Sequence, residues 1–306
     1  RIYCWGRNGE GQVGDGSTTH RATPVEISHS SHYNWASIAV GSYQTCAISL
    51  TNLVYCWGSG DDGTMGDGQD SDNIEYNQIT LDTDYYRANG ISIGNNFVCA
   101  SVTNLVGNSH ASGTQNHAHP YCWGEGSSGQ LGNGQTTDYN TPKKVAPPPN
   151  TATSLSAGHY HTCAILEYAP TVNCWGQEYR GQLGNTIDTG SIDQDTARSE
   201  PVRALLPTGR TATSIVSGYQ HSCSIMDDGS LYCWGYNAFG QLGAEANTAS
   251  TPVAVDLPTG RTAAIVAAGY YHTCAILDDD SLYCWGKDDD GGQLGDGATD
   301  STGDTS

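Results

Sequence analysis

Histidine, aspartate and cysteine are the side chains of this 306-residue sequence that could do chemistry, and their spacing decides what chemistry that is. Three histidines, His161, His221 and His272, each stand two residues before a cysteine in a G-x-x-H-[TS]-C segment. Facing a central channel, they could form a ring for a metal ion or an anion. Gln44 and Phe97 fill the same position in two further copies, so the reading adopted is a repeated hydrogen bond that stabilises each unit. His110, His117 and His119 lie in a Gly/Ser/Asn-rich insertion. An H-x-H pair suits a transition metal, but no fixed third ligand accompanies it. No metal is therefore expected, and the insertion reads as a surface or interface loop. Acidic clusters occur at Asp61-Asp62, at Asp67, Asp70 and Asp72, at Asp278 to Asp280 and at Asp288 to Asp290. None has the spacing that places oxygens around calcium in an EF-hand. They read as solvated turn acids, with calcium at the surface the one cofactor left open.

Nucleophilic catalysis has no visible carrier. There is no G-x-S-x-G, no isolated reactive cysteine with a distant histidine partner, and no carboxylate pair distinguishable from the acidic turns. The expectation is a protein that is not an enzyme. Charge narrows the partners: 32 acidic residues against 12 basic ones give a formal net charge of −20. That excess disfavours nucleic acid and anionic membrane surfaces, and could attract cations or basic partners. No stretch is apolar for long enough to span a bilayer. No signal peptide is visible, but Arg1-Ile2-Tyr3-Cys4-Trp5-Gly6 begins inside a repeat, which implies an upstream segment cleaved or missing.

Ten of the eleven cysteines fall into close pairs: Cys46/Cys56, Cys99/Cys122, Cys163/Cys174, Cys223/Cys233 and Cys274/Cys284. Each pair sits on two short β-like runs around a turn, such as the Asp228-Gly229 turn between Cys223 and Cys233. Five repeats of this arrangement favour disulfides over reduced, buried thiols. Disulfides imply an oxidising compartment, so an extracellular or cell-surface location is expected. Zinc is disfavoured because no C-x-x-C occurs. Cys4 is left over, and its repeat-mate should precede residue 1.

These residues are held by a repeat. Cys-Trp-Gly recurs at residues 4, 56, 122, 174, 233 and 284, each time followed by a glycine turn such as Gly11-Gln12-Val13-Gly14 or Gly181-Gln182-Leu183-Gly184. Proline near a strand follows in four units (Pro24, Pro142, Pro201 and Pro252), and five units close on an apolar run and G-x-x-x-x-C. A period of roughly 50–60 residues with several β runs per unit is the signature of propeller blades. Trp5, Trp57, Trp123, Trp175, Trp234 and Trp285 share one repeat position and read as core residues wedged between blades. The units run approximately 1–52, 53–118, 119–170, 171–229, 230–280 and 281–306, the last partial, within one repeat domain spanning 1–306.

The order C-W-G, N-x-x-G-Q-L-G-D-G, P-x-x-V and G-x-x-H-T-C-A resembles the regulator-of-chromosome-condensation repeat family, with Tyr232 to Gly243 the closest copy. Within that family it looks like the secreted bacterial branch, in which cysteines replace apolar residues of the hairpin. The resemblance implies an all-β propeller of about six to seven four-stranded blades with hairpin disulfides, commonly seven and closed by strands from both chain ends. An open superhelix is the alternative, because the sixth unit stops after Gly297. The second unit also departs, through an acidic segment from Asp67 to Asp84 and a hairpin insertion from Val102 to Pro120. The expected function is a non-enzymatic extracellular structural or adhesive propeller that binds itself or surface partners. Contact between the two chain ends would build filaments, locked by Cys4 or a donated strand. The alternative is a monomeric secreted module that grips a protein with one face, as the family's β-lactamase inhibitors do, the insertion being the natural contact. Nucleotide exchange on a small nuclear GTPase, the role of the eukaryotic founder, is disfavoured by the paired cysteines and the acidic balance.

Overall fold

Glycine turns cut the chain into short runs of β-formers, and each run pairs antiparallel with the next. The computed structural model describes residues 1–27, 34–81, 86–104, 118–146, 151–167, 171–186, 197–245, 248–288 and 292–297. A two-stranded sheet, β1 (Ile2–Gly6) and β2 (Arg21–Ile27), comes first. Four four-stranded sheets follow. They are β3 (Trp35–Val40), β4 (Gln44–Ser49), β5 (Val54–Gly58) and β6 (Asn73–Ile79); then β7 (Tyr86–Ile93), β8 (Phe97–Asn104), β9 (Ala118–Gly124) and β10 (Tyr139–Lys144). The third holds β11 (Ala152–Ala157), β12 (His161–Leu166), β13 (Val172–Gln177) and β14 (Ala197–Arg203). The fourth holds β15 (Ala212–Ser217), β16 (His221–Met226), β17 (Leu231–Tyr236) and β18 (Thr248–Ala254). A three-stranded sheet, β19 (Ala263–Ala268), β20 (His272–Leu277) and β21 (Leu282–Gly286), ends the series. The fold is an all-β propeller of antiparallel sheets. Each four-stranded blade takes its first two strands from the end of one sequence unit and its last two from the start of the next.

Every hairpin between second and third strands is stapled. Cys46 faces Cys56, Cys99 faces Cys122, Cys163 faces Cys174, Cys223 faces Cys233 and Cys274 faces Cys284, with Cα atoms 4.1 Å apart in each disulfide. That separation is the one of a close, directly opposed cross-strand pair. Cys4 is free and half-buried, on the strand β1 that pairs with β2.

The seams between blades rest on the repeated tryptophan. The indole N–H of Trp175 donates to the Gln130 carbonyl of the preceding glycine turn at 2.9 Å, and Trp234 donates to Gln182 at 2.9 Å. Trp57, Trp123 and Trp285 donate in the same way to Gln12, Thr64 and Gln241 at 3.0 Å. Glycine at the next turn position is required by contact: a Cβ on Gly132 would lie 2.6 Å from the indole nitrogen of Trp175. Trp5 departs from the wedged position expected of it. It is 61% exposed, and among the described residues no glycine turn docks on its ring.

The first strands, β3, β7, β11, β15 and β19, neighbour one another in that order around a central axis. Their ends are tied on one face by backbone bonds, from His159 N to Gly218 O at 3.3 Å and from Tyr219 N to Tyr270 O at 3.2 Å. Strand direction alternates, so the connections after first and third strands emerge on this face and the hairpin turns after second strands emerge on the opposite one.

Candidate functional site

The two residues that follow the glycine in each G-x-x-x-x-C segment vary, and they sit in the loop between first and second strands. Ser42, Asn95, His159, Tyr219 and Tyr270 therefore surround a central opening of about 280 Å³. The positions that vary between Cys-Trp-Gly and the glycine turn lie beside them, on the loops after third strands. In the last three blades the two sets merge into an arc of aromatic rings. His159 packs edge-on against Tyr219 at 4.2 Å, and Tyr219 stacks on Tyr270 at 4.1 Å and 25°. Tyr271 meets Tyr270 at 4.8 Å and Phe239 at 5.1 Å, and Tyr236 continues the series toward Tyr179.

Two cations lie on these rings. The Arg180 guanidinium is 5.2 Å from the centre of Tyr179 and 5.0 Å from that of Tyr236, within cation–π range. The Lys287 ammonium lies over Phe239 at 5.4 Å and Tyr271 at 5.8 Å. Tyr270 is 53% exposed, so the arc presents ring edges and phenol hydroxyls to solvent. Burial holds the Tyr270 phenol above its ordinary value, helped by a hydrogen bond with Tyr219, so the Tyr270 hydroxyl stays neutral at physiological pH. Burial lowers His159 to about 4, so it too is neutral. The loops of the earlier blades add a further cation–π pair, Arg7 over Tyr43 at 4.9 Å, and acidic side chains. Asn96 donates to Asp62 at 3.0 Å, and Glu125, raised by burial, stands beside Tyr160. One face therefore carries an aromatic and cationic arc flanked by acidic side chains.

The conserved-looking histidines sit deeper, away from the opening. His161 and His221 are fully buried in the seams between blades. His161 Nε2 meets the Ser222 hydroxyl of the next blade at 2.8 Å, and His221 Nε2 meets Thr273 at 3.0 Å. Each hydroxyl already donates its own proton to a turn carbonyl, Ser222 to Gln182 at 3.1 Å and Thr273 to Gln241 at 2.8 Å. The histidine must then be the donor, which fixes the Nε2–H tautomer and leaves Nδ1 without a partner. Burial, the dominant cause, lowers both rings to about 3. Gln44 performs the same task from its own blade, donating to the Asn95 carbonyl at 2.7 Å.

His119 lies in β9 opposite Val102, whereas His110 and His117 lie outside the described residues. The stem of the insertion, closed by Thr103 opposite Ala118, leaves from the ends of β8 and β9 that point away from the aromatic arc. Among the described residues no three His, Cys, Asp or Glu side chains converge as a metal-sized group. No helix among them is long and apolar enough to cross a membrane. Tyr179, Arg180, Tyr219, Phe239, Tyr270 and Lys287 were not singled out from sequence. Their signal was variability: they occupy the few positions that change while the surrounding repeat stays constant.

The model of the regulator of chromosome condensation (RCC1) repeat matches residues 1–48, 120–165, 171–225 and 228–276. The chain is 29% identical over 289 residues to the ultraviolet-B receptor UVR8 of Arabidopsis thaliana, covering 93% of this chain and 61% of that protein. It is 27% identical to the human E3 ubiquitin-protein ligase HERC2, covering 98% of this chain but 6% of the ligase. It therefore spans less than two thirds of these relatives. Among solved structures, Prp20p from Saccharomyces cerevisiae, a protein described with its binding to Gsp1p and histones, aligns with a TM-score of 0.74 at 22% identity, over 93% of this chain and 66% of its own. Human WBSCR16 aligns with a TM-score of 0.58 at 17% identity, over 99% and 92%. With the tryptophan-docked, disulfide-stapled blades in place, the chain belongs to the regulator of chromosome condensation (RCC1) repeat family.

Proposed function

We propose that this chain is a non-enzymatic, extracellular protein-binding propeller, of the secreted cysteine-rich kind within its family, which grips a partner with the aromatic arc. The observation that carries the reading is where the variation falls. Glycines, tryptophans and cysteines are spent on the scaffold, while the variable loop positions of three adjacent blades converge on one face as Tyr, Phe and Arg. Tyrosine and arginine dominate the energetics of protein interfaces, because they bury large, amphipathic area at low entropic cost. The disulfides fit an oxidising, extracellular setting and staple the strands from which the loops of the arc spring. The test compares the intact chain with a Tyr219→Ser, Tyr270→Ser double variant as bait for the extracellular protein fraction of the source organism. A protein retained by the first and lost from the second is expected; identical retention by both contradicts the reading.

A second reading, assembly of copies end to end, draws on apolar surface at the two ends of the array. Trp5 (61%) and Val40 (69%) are exposed at one end, Ile265 (58%) and Leu282 (64%) at the other. Light scattering without reductant decides it: particles well above 32.3 kDa are expected from assembly, and a monomer at micromolar concentration rejects it.

A further inference from the structure

Resting on the protein-binding reading, we propose that Arg180 is the anchor for a carboxylate on an exposed loop of the partner protein. Most arginines of this acidic chain are neutralised internally. Arg198 pairs with Glu178 at 2.7 Å, Arg21 with Asp15 at 2.5 Å and Arg261 with Asp279 at 2.7 Å. Arg180 has no carboxylate partner among the described residues, and its Nε is buried without a hydrogen-bond partner. Its guanidinium is instead clamped between Tyr179 and Tyr236, and Tyr179 is itself tied to the Gln220 amide. A side chain with several rotatable bonds is thus held ready on an aromatic bed within the arc.

The ligand chemistry follows from that setting. A guanidinium is a planar fork that matches a carboxylate with two parallel hydrogen bonds. The aromatic surround lowers the local dielectric and strengthens such a pair relative to water. A polyanion such as nucleic acid would need several cations here and would meet the field of a chain carrying −20. A single aspartate or glutamate flanked by apolar residues meets neither obstacle. The carboxylates of Asp62 and Glu125, which flank the arc, add direction: a loop presenting its acidic residue to them would be repelled, so the face favours the orientation that meets Arg180.

The test selects binders for the intact, oxidised chain from phage-displayed random constrained loops, then measures selected loops as synthetic peptides against variants. Loops enriched in Asp or Glu among apolar residues are expected. Their affinity should fall roughly ten- to hundredfold on Arg180→Gln, the loss of a charge-assisted pair, and less on Arg180→Lys, which keeps charge without the fork. Melting curves of the variants separate this loss from misfolding, and a Tyr219→Ser, Tyr270→Ser variant reports whether the arc is engaged. Loops that need the two tyrosines but are basic or neutral, and indifferent to Arg180→Gln, overturn the carboxylate anchor and leave the binding face standing. A library that yields only loops indifferent to both, or none, overturns the two readings together.

Discussion

Gly132→Ala and Gly295→Ala place the same methyl group at the same repeat position, and the seam architecture requires them to differ. Both glycines hold the left-handed region, at φ +65 and +73. An L residue there costs roughly 1–2 kcal/mol, common to both variants. At Gly132 the new Cβ lies 2.6 Å from Trp175 Nε1 and 2.7 Å from its Cδ1. That ring cannot retreat, being fully buried and bonded to the Gln130 carbonyl at 2.9 Å. Overpacking a closed core site adds roughly 1–3 kcal/mol. At Gly295 no atom lies within 4 Å of the added carbon. The expectation is a loss of about 2–5 kcal/mol for Gly132→Ala against about 1–2 kcal/mol for Gly295→Ala. Urea denaturation of the oxidised proteins, followed by far-ultraviolet circular dichroism, reads the difference as separate midpoints. Midpoints that coincide, or an inverted order, refute the claim that the tryptophan and the glycine turn lock the seam.

Three further outcomes follow from the same geometry. Replacing Cys223 and Cys233 together by alanine should lower stability by roughly 3 kcal/mol, the loop-closure entropy returned to the unfolded chain, with unchanged circular dichroism at 25 °C. Acid should destabilise the seams. With His161 and His221 at about 3 in the fold and near 6.5 when unfolded, only the unfolded state takes up protons between those values. Stability is therefore full above pH 6.5 and falls by roughly 1.4 kcal/mol per pH unit per histidine as the pH drops toward 3. His221→Gln, which copies Gln44, should remove one histidine's share of that slope, roughly 1.4 kcal/mol per pH unit, in urea-derived stabilities measured from pH 7 to pH 4. Finally, Trp234→Phe should cost roughly 2–3 kcal/mol through the lost indole bond and the vacated volume, while Trp5→Phe should change the midpoint little.

Scaffold residues were legible in the sequence because each performs one task several times. A cysteine opposite a cysteine, a tryptophan against a glycine turn and a glycine with positive φ leave the same letters at the same spacing. Their exposure was less legible: Trp5 has the repeat letter of Trp57 but not its surroundings, since burial is supplied by the preceding unit rather than by the residue itself. The histidine position was read as a repeated stabilising bond. Its partner, a hydroxyl more than fifty residues away in the next blade, needed the three-dimensional seam. The binding arc was least legible. Arg180, Phe239 and Tyr270 come from three blades, show no shared motif, and become neighbours of a common surface only when the loops of successive blades converge on the axis. The insertion drew attention by its length, yet its stem leaves from the opposite face.

Site-specific photo-crosslinking tests the central claim that this arc is where the protein meets its partner. A benzoylphenylalanine at Tyr270, 53% exposed on the arc, is compared with one at Leu50, 62% exposed at the hairpin end on the opposite face. Irradiation in the source organism's extracellular fraction should give a discrete protein adduct from position 270 and none from position 50. An adduct from position 50 alone, or equal yields from both, contradicts the account.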